Sequence, residues 1–311
     1  MTGRLLFVLM LLSPALSRAL VIENGTLTGF LMDTCATCAY DNWQSHVSER
    51  IQRPGYNDYG PAHLDPQTNG FGGFQYIYAN AHGDSIMARW RQVFLCAIHG
   101  DWECADSLIA RQDSAWNYEL ARIEEPTGAS YYVMRERLDS SYVDVNGDTL
   151  TANDVHGGFR RGWGVFVFSA APRHARAVVQ MPHPEDDFMS IPVGIELFQQ
   201  AEMAILMIAG AGREVMYDSA AGQYNNARTF SDPSRNARHP FSELSRVIKD
   251  SWNSPPVNPL VLIQLHSYDH ATHGPLPDIQ VSCYHNDEFP NAPLRNFVNQ
   301  RDLFHAHPVF P

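Results

Sequence analysis

The chain has 311 residues, 44% hydrophobic and 18% charged, with 21 Gly and 20 Pro. That length and composition describe a loop-rich globular protein with a substantial core, which excludes disorder, coiled coils and low-complexity arrays. Lys+Arg number 22 against 34 Asp+Glu, a net charge of −12 with Lys249 the only lysine, so a protein that tracks nucleic-acid phosphates is excluded too.

Residues 1–19 combine an early Arg4, an apolar run from Leu5 to Leu12, and small residues at Ser17 and Ala19. The pattern predicts a signal peptide rather than a membrane anchor, because the run is too short for a bilayer and Pro14 interrupts it. A secreted or periplasmic protein of about −14 is expected, with no membrane anchor after cleavage. Export favours disulfides, and the local candidates are Cys35 with Cys38 and Cys96 with Cys104, leaving Cys283 alone. No thioredoxin-like strand precedes Cys35, so a structural staple or two free thiols outweighs a redox centre. Asn24-Gly25-Thr26 is a glycosylation sequon.

From Tyr40 to Phe74 the sequence is rich in Gly, Pro, Asn and Asp. Ser85 to Glu125 is mostly helix-compatible, with Met87, Trp90, Val93, Phe94 and Ala97 spaced as one apolar face. Residues 20–127 therefore read as an irregular and helical N-terminal region packed on a core domain of residues 128–311. Short strands are expected at Tyr131–Met134 and Tyr142–Val145, with Asn146-Gly147 as a hairpin turn. The acidic run around that turn does not match a calcium loop, since its Gly is two places early and Val155 stands where the bidentate Glu belongs.

Beyond it, short apolar runs alternate with helical segments: GVFVFSA, AVVQM, AILMIAG, LVLIQL and IQVSC. Such runs are buried strands of an α/β fold, with a mostly parallel or mixed central sheet and flanking helices. Pro192 opens a helix expected to carry Val193, Leu197 and Phe198 inward, and Pro240 opens one carrying Phe241, Leu244, Val247 and Ile248.

Four of these strands end in polar or Gly-containing segments. Ligands in open α/β sheets bind outside the carboxyl ends of parallel strands, so these ends nominate a site. His183 and His266 each follow a strand, and Asp186 or Asp187 supplies an oxygen beside the first. Two imidazoles and a carboxylate with an open fourth position make a catalytic zinc set; the alternative is loop-capping histidines beside a solvated acidic turn.

The order PHPEDD, AGAGR, SDPSRN and QLHS resembles the zinc exopeptidase-like hydrolases. That group includes the carboxypeptidases, the succinylglutamate desuccinylase and aspartoacylase relatives, the N-formylglutamate amidohydrolases and the poly-gamma-glutamate hydrolases. The segments YYVMRE, GWGVFVF and YDNWQSHVSERI also resemble uncharacterised exported bacterial proteins. The resemblance implies a zinc exopeptidase-like fold with His183, His266 and Asp186 or Asp187 on Zn2+. It places Arg213, Arg235 and Asn236 loosely at substrate-carboxylate positions, and Glu288 at the general base by position only. The group's common His-x-x-Glu is absent, because the third and fourth residues after His183 are Asp186 and Asp187.

The expected function is thus a secreted zinc-dependent hydrolase of an amide or peptide-like bond near a free carboxylate, with a small-molecule or peptide substrate bearing that carboxylate. The alternative is a non-catalytic exported metal-binding or cell-surface module on the same fold. A two-metal phosphoesterase is disfavoured, because no second carboxylate-His cluster is evident.

Overall fold

The computed structural model describes residues 20–46, 83–112, 116–138, 159, 161–184, 187, 189–211, 232–234, 238–252 and 260–267. Backbone contacts divide the chain into Met1–Ser267 and Tyr268–Pro311, and every described residue belongs to the first unit. Asp186, Arg213, Arg235, Asn236, Cys283, Glu288, the Asn146-Gly147 turn and IQVSC lie outside the described residues.

The strands are β1 (Val21–Asn24), β2 (Tyr118–Glu124), β3 (Ser130–Glu136), β4 (Val165–Ser169), β5 (His174–Met181), β6 (Met203–Ile208) and β7 (Val261–Gln264). The helices are α1 (Leu27–Met32), α2 (Gly83–Ile98), α3 (Trp102–Ala110), α4 (Ser190–Gln200) and α5 (Pro240–Trp252). One mixed sheet of order β1-β2-β3-β4-β6-β5-β7 takes all seven strands, with flanking helices. The expected α/β class therefore holds, and the sheet is mixed. Strand β1 runs parallel to β2, β5 parallel to both β6 and β7, and the β2–β3, β3–β4 and β4–β6 pairs are antiparallel.

Two expectations need correction. The helix-compatible stretch stops short of Glu125, because residues 118–124 are strand β2. Asn117 takes a left-handed backbone (φ 59°), its C=O accepting from the Arg137 N–H and its side-chain Nδ2 donating to the Arg137 C=O, and YELARIE then buries Tyr118 and Leu120 on one face of the sheet and Ala121 and Ile123 on the other. A turn at Glu125–Ala129, with Gly128 at φ 89°, joins β2 to β3. The sheet thus draws β1 and β2 from the N-terminal region. Second, Val193 is 50% exposed; α4 instead buries Ile191, Gly194, Ile195 and Phe198. Gly194 lies against Met181, so close that a Cβ there would meet the Met181 sulfur.

Helices cover both faces. On one, Phe30 of α1 packs over the Arg135 guanidinium and Phe198 of α4 packs on Tyr131, while Thr28 donates to Gln199 across the two helices. On the other, Phe94 of α2 meets Phe166, Trp102 of α3 stacks on Tyr132 at 3.9 Å, and Ser245 of α5 meets Gln180. The apolar face predicted for α2 is buried throughout, as is the α5 set of Phe241, Leu244, Val247 and Ile248. Both local disulfides form: Cys35–Cys38 after α1, and Cys96–Cys104 between α2 and α3. Asp101 caps α3 by accepting from the Cys104 N–H.

Beneath α1, Arg135 is fully buried. It donates twice to Glu23 (2.8 and 2.5 Å) and once to Glu119 (3.0 Å), binding β1 to β3 across β2. Tyr40 and Phe30 cover the guanidinium, and burial pushes the Tyr40 hydroxyl well above its ordinary pKa.

This topology locates the site. From β5 the chain crosses through α4 to β6 on one side; from β6 it returns through α5 to β7 on the other side of β5. The reversal makes the carboxyl ends of β5 and β7 a topological switch point, where a crevice opens in such sheets.

Candidate metal centre

His183 and His266 each stand two residues beyond their strands, β5 and β7, on that rim. The strands pair Gln180 with Gln264, and Leu265 N–H extends the pairing to Gln180 C=O, which brings the two imidazoles to ring centroids 5.0 Å apart. The Asp187 N–H bonds to the His183 carbonyl, which brings Asp187 back beside the ring. Ser190 N–H then bonds to the Asp187 carbonyl and α4 begins.

Asp187 Oδ2 lies 2.8 Å from His266 Nδ1 and 3.4 Å from His183 Nδ1. One ligand atom from each of the three residues falls within 4.8 Å of the others. His183 and Asp187 are buried, whereas the His266 side chain is 43% exposed and forms the solvent edge. Of the sequence-nominated residues, the structure brings His183, Asp187 and His266 together, with Asp187 as the carboxylate; the others lie outside the described residues.

Sequence reasoning missed Asp232. Its Oδ1 sits 3.1 Å from His183 Nε2, is 2% exposed as a residue, and accepts from the Ser234 N–H at 2.8 Å. An ionised carboxylate only accepts, so His183 Nε2 carries the proton and Nδ1 faces Asp187. A ligating histidine is characteristically oriented by such an acceptor on its other nitrogen. The signal lay in SDPSRN, where an Asp before Pro begins a turn, but nothing in that local pattern points to His183.

The carboxylates and imidazoles shift one another's titration. Burial opposes protonation of His183, but contacts with Asp187 and Asp232 outweigh it and raise the pKa to about 9. Burial also opposes ionisation of Asp187, yet His183 and His266 hold its carboxyl down at about 2. His183 Nδ1 is buried without a well-aligned hydrogen-bond partner. Two imidazole nitrogens and a carboxylate, with a second carboxylate behind one imidazole, are a donor set that could hold a metal ion.

Nearby, His239 is wholly buried and its Nδ1 accepts from the Phe241 N–H at 3.0 Å, holding the first turn of α5. Burial drives its pKa down to about 3 against the opposing field of Asp232, so this imidazole is neutral. At the neighbouring rim, Gly164 (φ 108°) would drive a Cβ into the Ile208 carbonyl, and Gly210 would drive one into Gly162. The glycines let β4 and β6 close tightly where the AGAGR segment leaves the sheet. Comparison with protein-family models, curated proteins and solved structures yields no match.

Proposed function

We propose that the protein is an exported zinc-dependent hydrolase acting on an amide or peptide-like bond near a free carboxylate. The observation that carries this reading is the convergence of His183, Asp187 and His266 at the switch point, with Asp232 behind His183. His183 and His266 would hold the metal through Nδ1 and Asp187 through Oδ2. Bound zinc supplies Lewis acidity toward a carbonyl and acidifies water at neutral pH. Asp232 holds the His183 proton on Nε2, and the exposed side of His266 leaves an approach for substrate. The resemblance of PHPEDD, AGAGR and QLHS to zinc exopeptidase-like hydrolases supports the reaction class. By the same resemblance Arg213 or Arg235, with Asn236, would clamp the substrate carboxylate bidentately, and Glu288 is the candidate proton carrier. Two disulfides support export, and among the described residues no helix is long and apolar enough to cross a membrane.

A second reading, a non-catalytic exported binding module, is favoured by one observation: Asp187 and Asp232 flank the two ring nitrogens of His183, so a protonated His183 would pair with both carboxylates without a metal. Metal analysis of protein purified without chelators, followed by a screen of N-acyl amino acids, peptides and poly-glutamate, separates the two. About one zinc per chain with turnover of a carboxylate-bearing amide supports the hydrolase; no zinc at neutral pH supports the module.

A further inference from the structure

We infer that Ser245, Gln180 and Gln264 form a directed hydrogen-bond relay that fixes the proton of His266 on Nε2 and so presents Nδ1 to the metal. The inference deepens the metal reading and rests on it for its functional consequence. Ser245 on α5 donates to the Phe241 carbonyl of its own helix at 3.0 Å. Gln180 on β5 donates through Nε2 to Ser245 Oγ at 2.9 Å, with Met207 Sδ beside the same nitrogen at 3.4 Å. Gln264 on β7 donates to Gln180 Oε1 at 3.4 Å, and Gln264 Oε1 lies 3.0 Å from His266 Nε2.

The sense of this chain is set at its inner end. A backbone carbonyl only accepts, so the single hydroxyl proton of Ser245 is committed to Phe241. Gln180 must then turn its NH2 toward Ser245, which leaves its oxygen facing Gln264. Gln264 must in turn give its NH2 to Gln180 and its oxygen to His266. Reversing either amide would set two oxygens or two NH2 groups against each other. The Phe241 carbonyl thereby sets the orientation of both amides. Gln180 is only 5% exposed, inside the apolar, buried second half of β5; a buried amide is costly unless its hydrogen bonds are made. His183 and His266 thus receive the same tautomer by different means, one from a carboxylate and the other from a relay reaching across β5 to α5. Gln180, Gln264 and Ser245 are positioning residues.

The test uses the full chain in two measurements. In metal-free protein, 15N resonances of the His266 imidazole and the Gln264 side-chain amide are compared between wild type and Gln180→Leu; both should move, and if neither moves the relay is overturned. Zinc affinity is then measured by chelator competition. Gln180→Leu should weaken zinc binding about 10–100-fold, as loss of an outer-shell partner does. In a Gln264→Glu background the same change should cost less than about 3-fold, because a carboxylate accepts from His266 with either oxygen and needs no orienting partner. An equal loss in both backgrounds would show that Gln180 acts only through packing and would overturn the proposal. If the wild type retains no zinc, the metal reading fails and the resonance comparison alone decides the relay.

Discussion

Asp232 and Asp187 clasp the His183 ring from its two nitrogens, Asp232 Oδ1 standing 3.1 Å from Nε2 and Asp187 Oδ2 standing 3.4 Å from Nδ1. Only Asp187 also reaches His266, so the two carboxylates have different parts: Asp187 would bind the metal and Asp232 would orient a ligand. Asp232→Ala should therefore keep the fold, as read by circular dichroism, while weakening zinc about 10–100-fold in chelator competition. Unchanged affinity would remove Asp232 from the site.

The Glu23–Arg135 pair tests how the N-terminal strand is held. Glu23→Leu leaves a buried guanidinium without its bidentate partner and should lower stability by about 3–5 kcal/mol in urea unfolding. Glu23→Leu combined with Arg135→Leu should recover much of that loss, because both buried charges of the pair are removed while Glu119 keeps Arg137 as its partner. A double variant as unstable as the single would contradict this account of the cluster.

His239 makes a pH prediction with a definite sign. Its folded pKa is pushed down to about 3, below the ordinary 6.5, so below pH 6.5 the unfolded chain takes up a proton that the folded chain refuses. Its contribution is present in full above pH 6.5 and falls as pH drops toward 3, with a slope of at most about 1.4 kcal/mol per pH unit. His239→Gln should flatten the wild-type stability profile between pH 6.5 and 4; an unaltered slope would show that His239 accepts protons while folded.

The Cys96–Cys104 bridge spans a sequence separation of 8 between α2 and α3. Closing so short a loop is worth about 2.5 kcal/mol on the chain-entropy account. Replacing Cys96 and Cys104 together by Ala should lower the urea midpoint accordingly, and alkylation of unreduced wild type should spare both residues. Modification of both without reductant would rule out the bridge.

The strand–helix alternation after residue 164 was legible because β4 to β6 are short apolar runs buried on both faces, and because Pro240 marks the start of α5. The His183 and His266 positions were legible because each directly follows an apolar run, the end of β5 being buried and β7 largely exposed. Strand β2 was obscured because YELARIE carries three charged residues, one of them bonded to the buried Arg135, and no Gly or Pro separates it from the helices. Val193 was misplaced because α4 buries Gly194 against Met181, rotating the packed stripe away from Val193. Asp232 and the Ser245–Gln180–Gln264 relay were illegible, since their meaning is a contact between distant segments; the one local hint was an amide inside the apolar strand AVVQM.

The most direct test of the metal centre is the zinc content of His266→Ala beside wild type, both purified without chelators and checked for folding. Wild type should hold about one zinc per chain and His266→Ala essentially none, because His183 and Asp187 alone cannot retain the ion against water. Stoichiometric zinc in His266→Ala, or none in wild type at neutral pH, would contradict the assignment of these residues to a metal site.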